Sequence, residues 1–192
     1  MRIGREVLLI VVLLVLIALL VKLIEFFKVD VVEADARAFV LEELSTKYPT
    51  ADIEIMAVTP KYNEFDSRYF ELKAKVTQNP QTPCPQRSHV FYSYPVQNFV
   101  SQPAEVITSG CTVCTSPICT IAFPEEAIIA SHTLDGTSAV HSYITTYSDA
   151  LPQVAEESDS WYVTWDSDTS DYYYSTKIHR SGSVLNVTRY ER

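Results

Sequence analysis

The sequence predicts an α+β protein, an N-terminal transmembrane helix followed by two helix-on-antiparallel-sheet units. Three observations predict it. Apolar residues run without a break from Val7 to Val21. Two later stretches, residues 33–48 and about 137–150, repeat apolar side chains at three- and four-residue steps, as amphipathic helices do. Between and after them, short runs alternate apolar and polar residues with the period of half-buried strands.

The leading segment comes first. A bilayer core needs about 20 helical residues, and residues 6–27 supply that length if Lys22 and Glu25 reach the far interface. These two stand at i, i+3, close enough to pair, and Phe26 and Phe27 mark the same boundary. A cleaved signal peptide competes, but its small-x-small site, Ala34-Asp-Ala36, lies well past the apolar run. A type IV pilin-like leader is the third reading, since Arg2-Ile-Gly4 precedes the run. Pilin-like leaders carry a Glu at the fifth position after cleavage, and Glu6 would be the second. Arg2 and Arg5 precede the span, whereas Lys22 and Lys28 are diluted by Glu25, Asp30, Glu33 and Asp35. The positive-inside tendency therefore predicts a single-pass protein with its soluble domain outside the cytoplasm.

Beyond residue 28 there remain 11 basic and 22 acidic residues, a net charge of −11. Such a field repels phosphate backbones, so no nucleic-acid partner is expected. The expected partners are the membrane, through residues 6–27, and a protein in or outside it.

Residues 33–48 place Ala34, Ala38, Leu41, Leu44 and Tyr48 on one helix face, and Pro49 ends the helix. DIEIMAV (52–58) alternates as a strand, and Pro60–Ser67 reads as a turn. YFELKAKVT (69–77) sets Phe70, Leu72, Ala74 and Val76 against charged neighbours, the clearest half-buried strand. After a Pro-rich loop, HVFYSYP (89–95) is a short aromatic strand. Pro124-Glu125-Glu126 opens a helix, with proline in the first turn and acids at the positive end. Asp135-Gly136 breaks it. The next helix carries Val140, Tyr143, Ile144, Tyr147 and Leu151 on one face, with Pro152 just beyond. Three strands close the chain: Trp161–Trp165, Tyr172–His179 and Val184–Tyr190. Arg180–Ser183 makes the hairpin turn between the last two. The expected organisation is an anchor over 1–28, a first unit over 29–97, a Cys-containing insert over 98–132 and a second unit over 133–192.

A helix followed by a meander is similar to the cystatin-like or PepSY-like arrangement. Trp161-Tyr-Val-Thr, Tyr172-Tyr-Tyr-Ser-Thr-Lys-Ile and Ser181-Gly-Ser-Val-Leu resemble a PepSY ending, over roughly residues 136–190. In that family an aromatic strand leads through a Gly turn into a strand reading Val-Leu or similar. The resemblance implies an exported, non-catalytic module, often attached to membrane proteins and linked to peptidase regulation. It brings no catalytic residue to transfer.

Specific chemistry could reside at Cys84, Cys111, Cys114 and Cys119. Four cysteines in an exported domain suit two disulfides, with Cys84 bridging to one of the other three. A zinc site of Cys84, Cys111, Cys114 and Cys119, with His89 or His132 as replacement ligands, is the second reading. The C-x2-C pair is only half of a ribbon signature. A redox-active Cys111/Cys114 pair is the third, but Thr115-Ser-Pro117 does not open the helix that such motifs carry. His89, His132, His141 and His179 lie on separate elements and read as half-exposed packing residues. Asp159, Asp166, Asp168 and Asp171 lack the Gly and Glu of a calcium loop and read as solvated turns. Tyr172–Tyr174, Trp161 and Trp165 offer a recognition face, of which one side must be core. Asn186-Val-Thr188 is a glycosylation sequon. No nucleophile elbow, H-E-x-x-H or phosphate-gripping Gly loop is present. No enzyme and no cofactor is expected. The function these features predict is a membrane-anchored, extracytoplasmic, non-catalytic binding or regulatory module. A structural subunit of a cell-envelope or pilin-like assembly, and a thiol-redox protein using Cys111/Cys114, are the alternatives.

Overall fold

The computed structural model describes residues 3–26, 31–97, 102–116 and 118–192, leaving out the side chains of 3–9, 21 and 24–26. The chain divides into two compact units, Met1–Val32 and Glu33–Arg192.

The first unit holds one helix, α1 (Ile3–Phe26). Its large apolar side chains between Ile10 and Leu23 stand exposed where they are described. Among the described residues, no helix is long and apolar enough to cross a membrane. This corrects the expectation of an N-terminal transmembrane helix and of single-pass anchoring. The unbroken apolar run, Val7 to Val21, ends at Lys22 and is shorter than the roughly 20 residues a bilayer core needs. The pairing of Lys22 with Glu25, the Phe26–Phe27 boundary and the flanking Arg2, Arg5 and Lys28 lie outside the described side chains.

Among its described residues, the second unit contains three further helices and two antiparallel four-stranded sheets. The first sheet runs in order β1 (Asp52–Tyr62), β2 (Arg68–Gln78), β3 (Gln86–Tyr94) and β4 (Glu105–Val106). Helix α2 (Glu33–Lys47) covers one face of it. There Ala36, Val40 and Leu44 are buried with Phe70, Leu72, Ala74, Val76 and Val90. The buried stripe of α2 is therefore the i, i+4, i+8 row from Ala36, not the expected row through Ala38 and Leu41. Both rows are apolar in residues 34–44, so packing made the choice. Strand β1 is also longer than expected. A bulge between Ile55 and Ala57 interrupts the alternation, and Pro60 is tolerated because β1 is an edge strand.

The second sheet runs β5 (Leu151–Glu157), β6 (Ser160–Asp166), β7 (Tyr172–His179) and β8 (Val184–Glu191). Helices α3 (Pro124–Thr133) and α4 (Ser138–Thr146) serve this sheet. Their Ala127, Ile128, Ala130, Val140 and Tyr143 share one core with Trp161, Val163, Trp165 and Ile178. Proline opens α3, and the Glu126 carboxylate accepts the Phe123 backbone N–H at 3.0 Å, which satisfies an N-terminal donor. Strand β5 was not anticipated: Pro152 reads as a helix stop in sequence, yet here it sits on the edge strand where its missing N–H is harmless. Leu151, assigned by its spacing to the helix, is instead exposed on β5.

Candidate functional site

Strand β3 is the element on which the site is built. On its outer side β4 pairs only with Ser88 and His89, opposite Val106 and Glu105. Among the described residues, no strand faces the remaining half, residues 90–94. A cleft of about 950 Å³ follows this open half. It is lined by Phe39, Glu43 and Lys47 of α2 and Tyr48 just after it, by Ala57 and Thr59 of β1, by residues 71–73 of β2, and by residues 90–93 of β3. Val96 and residues 102–104 complete it. Phe39 stacks obliquely on Tyr94, ring centroids 5.1 Å apart. Burial, and then the Glu43 carboxylate and Tyr48, push the Tyr92 phenol up to about 12. The Lys73 ammonium lies 3.1 Å from Glu105 and 5.4 Å from the Phe91 ring centre. The cleft thus combines apolar and aromatic surface with paired charges of both signs.

Below the cleft, a polar chain crosses from the first sheet to α3. Arg87 Nη1 donates to Glu125 Oε2 at 2.9 Å, and Thr77 donates to Glu125 Oε1 at 2.7 Å. Arg87 Nε donates to His89 Nε2 at 3.2 Å, while Nδ1 of that ring lies 3.1 Å from Glu105. The tautomer follows: Nε2 accepts from the guanidinium, so Nδ1 carries the proton and donates to the carboxylate. His89 and Lys73 hold the Glu105 carboxyl below its ordinary range. A carboxylate–histidine pair with Nε2 capped by arginine has no free lone pair for base catalysis.

The structure pairs Cys84 with Cys111 and Cys114 with Cys119. Cys111 and Cys114 are thus bonded to different partners rather than to each other. Disulfides of this kind persist in oxidising compartments. The second bridge packs on the β7–β8 turn, where Gly182 approaches it. Beside the first bridge lies His132. Among the described residues, Cys84, Cys111 and His132 form a group whose possible ligand atoms all lie within 4.8 Å of one another. His132 Nε2 donates to the Pro83 carbonyl at 2.8 Å, Nδ1 has no partner, and burial lowers the basicity of the ring.

Other expected residues are placed as follows. His89 and His132 are buried rather than half-exposed, whereas His141 is exposed. Asp159 pairs with His179, and Asp166 with Arg192. Trp161 and Trp165 enter the core with Tyr172 and Tyr174 packed against it. Tyr173 points the other way and stacks on Tyr190 at 5.1 Å, so alternation divides the aromatic run between two faces. Asn186 is exposed on β8 and donates to Thr188 at 2.9 Å. The Arg87–Glu125 pair and the open half of β3 were missed from sequence. A buried arginine in a strand has no local signature, and an edge is defined only by its neighbours.

No family model and no curated protein sequence matches the chain. Among solved structures, it is similar to a chain from Clostridium difficile 630 described as a "putative lipoprotein", at 9% identity over 79% of this chain and 90% of that one. The TM-score is 0.20, and the likeness does not extend to a common fold.

Proposed function

We propose that this protein is an extracytoplasmic, envelope-associated binding module without catalytic activity, and that the cleft along β3 takes an extended segment of a protein partner. The open half of β3 carries this reading. Its residues 90–94 stand beside a 950 Å³ cleft with no strand opposite them among the described residues. An extended peptide can hydrogen-bond to such an edge, while alternate side chains enter the cleft for specificity. Glu43, Lys47, Glu71 and Lys73 line the same cleft and favour a partner segment that carries charges of both signs. Two disulfides support a site of action outside the reducing cytosol. The exposed apolar side chains of α1 support association with envelope lipid.

Site-specific photocrosslinking tests the reading. A photoreactive side chain at position 91, in the full chain expressed in its native envelope, should trap a discrete protein adduct. The same probe at position 162, on the second sheet, should not. Equal labelling at both positions, or none at 91, would reject the cleft as the binding site.

A further inference from the structure

We infer that Cys84, Cys111 and His132 form a redox-gated site for a thiophilic divalent cation, of which the disulfide is the closed state. The observation is a convergence of three elements. Cys84 comes from the loop after β2, Cys111 from the loop after β4, and His132 from the last turn of α3. Their ligand atoms lie within 4.8 Å of one another. Two thiolates and an imidazole are the donor set that zinc-class cations prefer.

A purely structural staple does not account for His132. The side chain is buried to 5% exposure, and its Nδ1 has no hydrogen-bond partner. An unsatisfied buried nitrogen is costly. Its Nε2–H donates to the carbonyl of Pro83, the residue next to Cys84, which fixes the ring beside the sulfurs. An outer hydrogen bond of this kind orients metal-binding histidines. When the cation is held by Nδ1, that bond stays in place. Both cysteines are partly exposed, so reductant and cation can reach them.

The chemistry balances with a dithiol as reductant and a small-molecule disulfide as oxidant. A dithiol reductant transfers two electrons to the Cys84–Cys111 bond, leaves as its own disulfide, and both cysteines become thiols. The cation then displaces the two thiol protons and takes one histidine nitrogen, with no electron transferred in that step. Two thiolates neutralise the charge of a divalent ion, and water can fill the fourth position. A small-molecule disulfide accepts the two electrons on reoxidation and leaves as two thiolates, while the Cys84 and Cys111 sulfurs rejoin and the cation is released. The disulfide and the metal are therefore exclusive occupants of one site. The inference is independent of the cleft along β3.

The full chain in detergent, carrying Cys114→Ser and Cys119→Ser and reduced with a phosphine, is titrated with cobalt(II) and then zinc(II). One equivalent of cobalt should give thiolate-to-cobalt charge-transfer absorption, which zinc abolishes. Adding His132→Gln should weaken binding about tenfold or more, while the oxidised protein should bind nothing. A second readout needs no substitution. In the unmutated, reduced chain labelled with ¹⁵N-histidine, zinc should shift the ring nitrogens of one histidine. Absence of charge transfer, binding that survives Cys84→Ser with Cys111→Ser, or unshifted histidine rings would overturn the proposal.

Discussion

Arg87 and Glu125 form a buried ion pair, Nη1 to Oε2 at 2.9 Å, with both side chains under a tenth exposed. One residue belongs to β3 and the other to the first turn of α3, so the pair joins the first sheet to the helix that covers the second. The Arg87 guanidinium also stacks 3.9 Å from the centre of the Phe123 ring. Thr77 occupies the remaining carboxylate oxygen. With both carboxylate oxygens and two guanidinium nitrogens partnered, the charges tolerate burial.

Removing one partner leaves the other buried and unmatched. Arg87→Met is expected to lower unfolding stability by about 3–5 kcal/mol, measured by urea denaturation. The double variant Arg87→Met, Glu125→Leu should lose much less than the two single losses combined, because neither then strands a charge. Additive losses would show that the pair is not the source of the coupling.

Gly182 has φ +82°, and a Cβ added to it would lie 2.5 Å from Cys119 Sγ and 2.9 Å from Cys114 Sγ. Gly136 has φ +89° with nothing within 4 Å of its added Cβ. Both alanine variants incur the left-handed strain, about 1 kcal/mol or somewhat more. Only Gly182→Ala also meets the disulfide, so it should be the more destabilised in urea. Equal losses would mean that the bridge shifts freely.

The two bridges close loops of different length, with sequence separations of 27 and 5. Loop entropy assigns roughly 3.5 kcal/mol to the longer and roughly 2 kcal/mol to the shorter. Replacing Cys84 and Cys111 by serine should therefore lower the thermal midpoint more than replacing Cys114 and Cys119. The reverse order would indicate that packing of the short bridge on Gly182 outweighs loop closure.

Tyr92 provides a pH signature. Burial first, and then Glu43 and Tyr48, push its phenol above the ordinary tyrosine range, up to about 12 in the fold. Below pH 10 the phenol is protonated in both folded and unfolded chains, and its stabilising contribution is fully present. Between pH 10 and 12 the unfolded chain ionises first, so stability falls as pH rises. Ultraviolet titration of phenolate should show a component titrating near 12 that disappears in Tyr92→Phe. The variant should also lose less stability between pH 9.5 and 11.5.

Much of the secondary structure is legible in the sequence because its signals are local. Phe70, Leu72, Ala74 and Val76 alternate regardless of what covers them. Pro124, Glu125 and Glu126 satisfy a helix start by themselves, and Gly136 separates α3 from α4 through its own backbone freedom. The even number of cysteines likewise points to bridges before any fold is known.

Tertiary structure decided what depends on neighbours distant in the chain. Residues 34–44 offer two apolar rows, and contact with the first sheet selected Ala36, Val40 and Leu44. Pro152 was free to end a helix or to open an edge strand, and pairing with Trp165 on β6 made it the latter. Which cysteine meets which, the approach of His132 to one bridge, and the open half of β3 arise only when separate loops and strands converge. Periodicity encodes which side of an element is greasy. It carries no record of the partner on that side, because that free energy is gained only on packing.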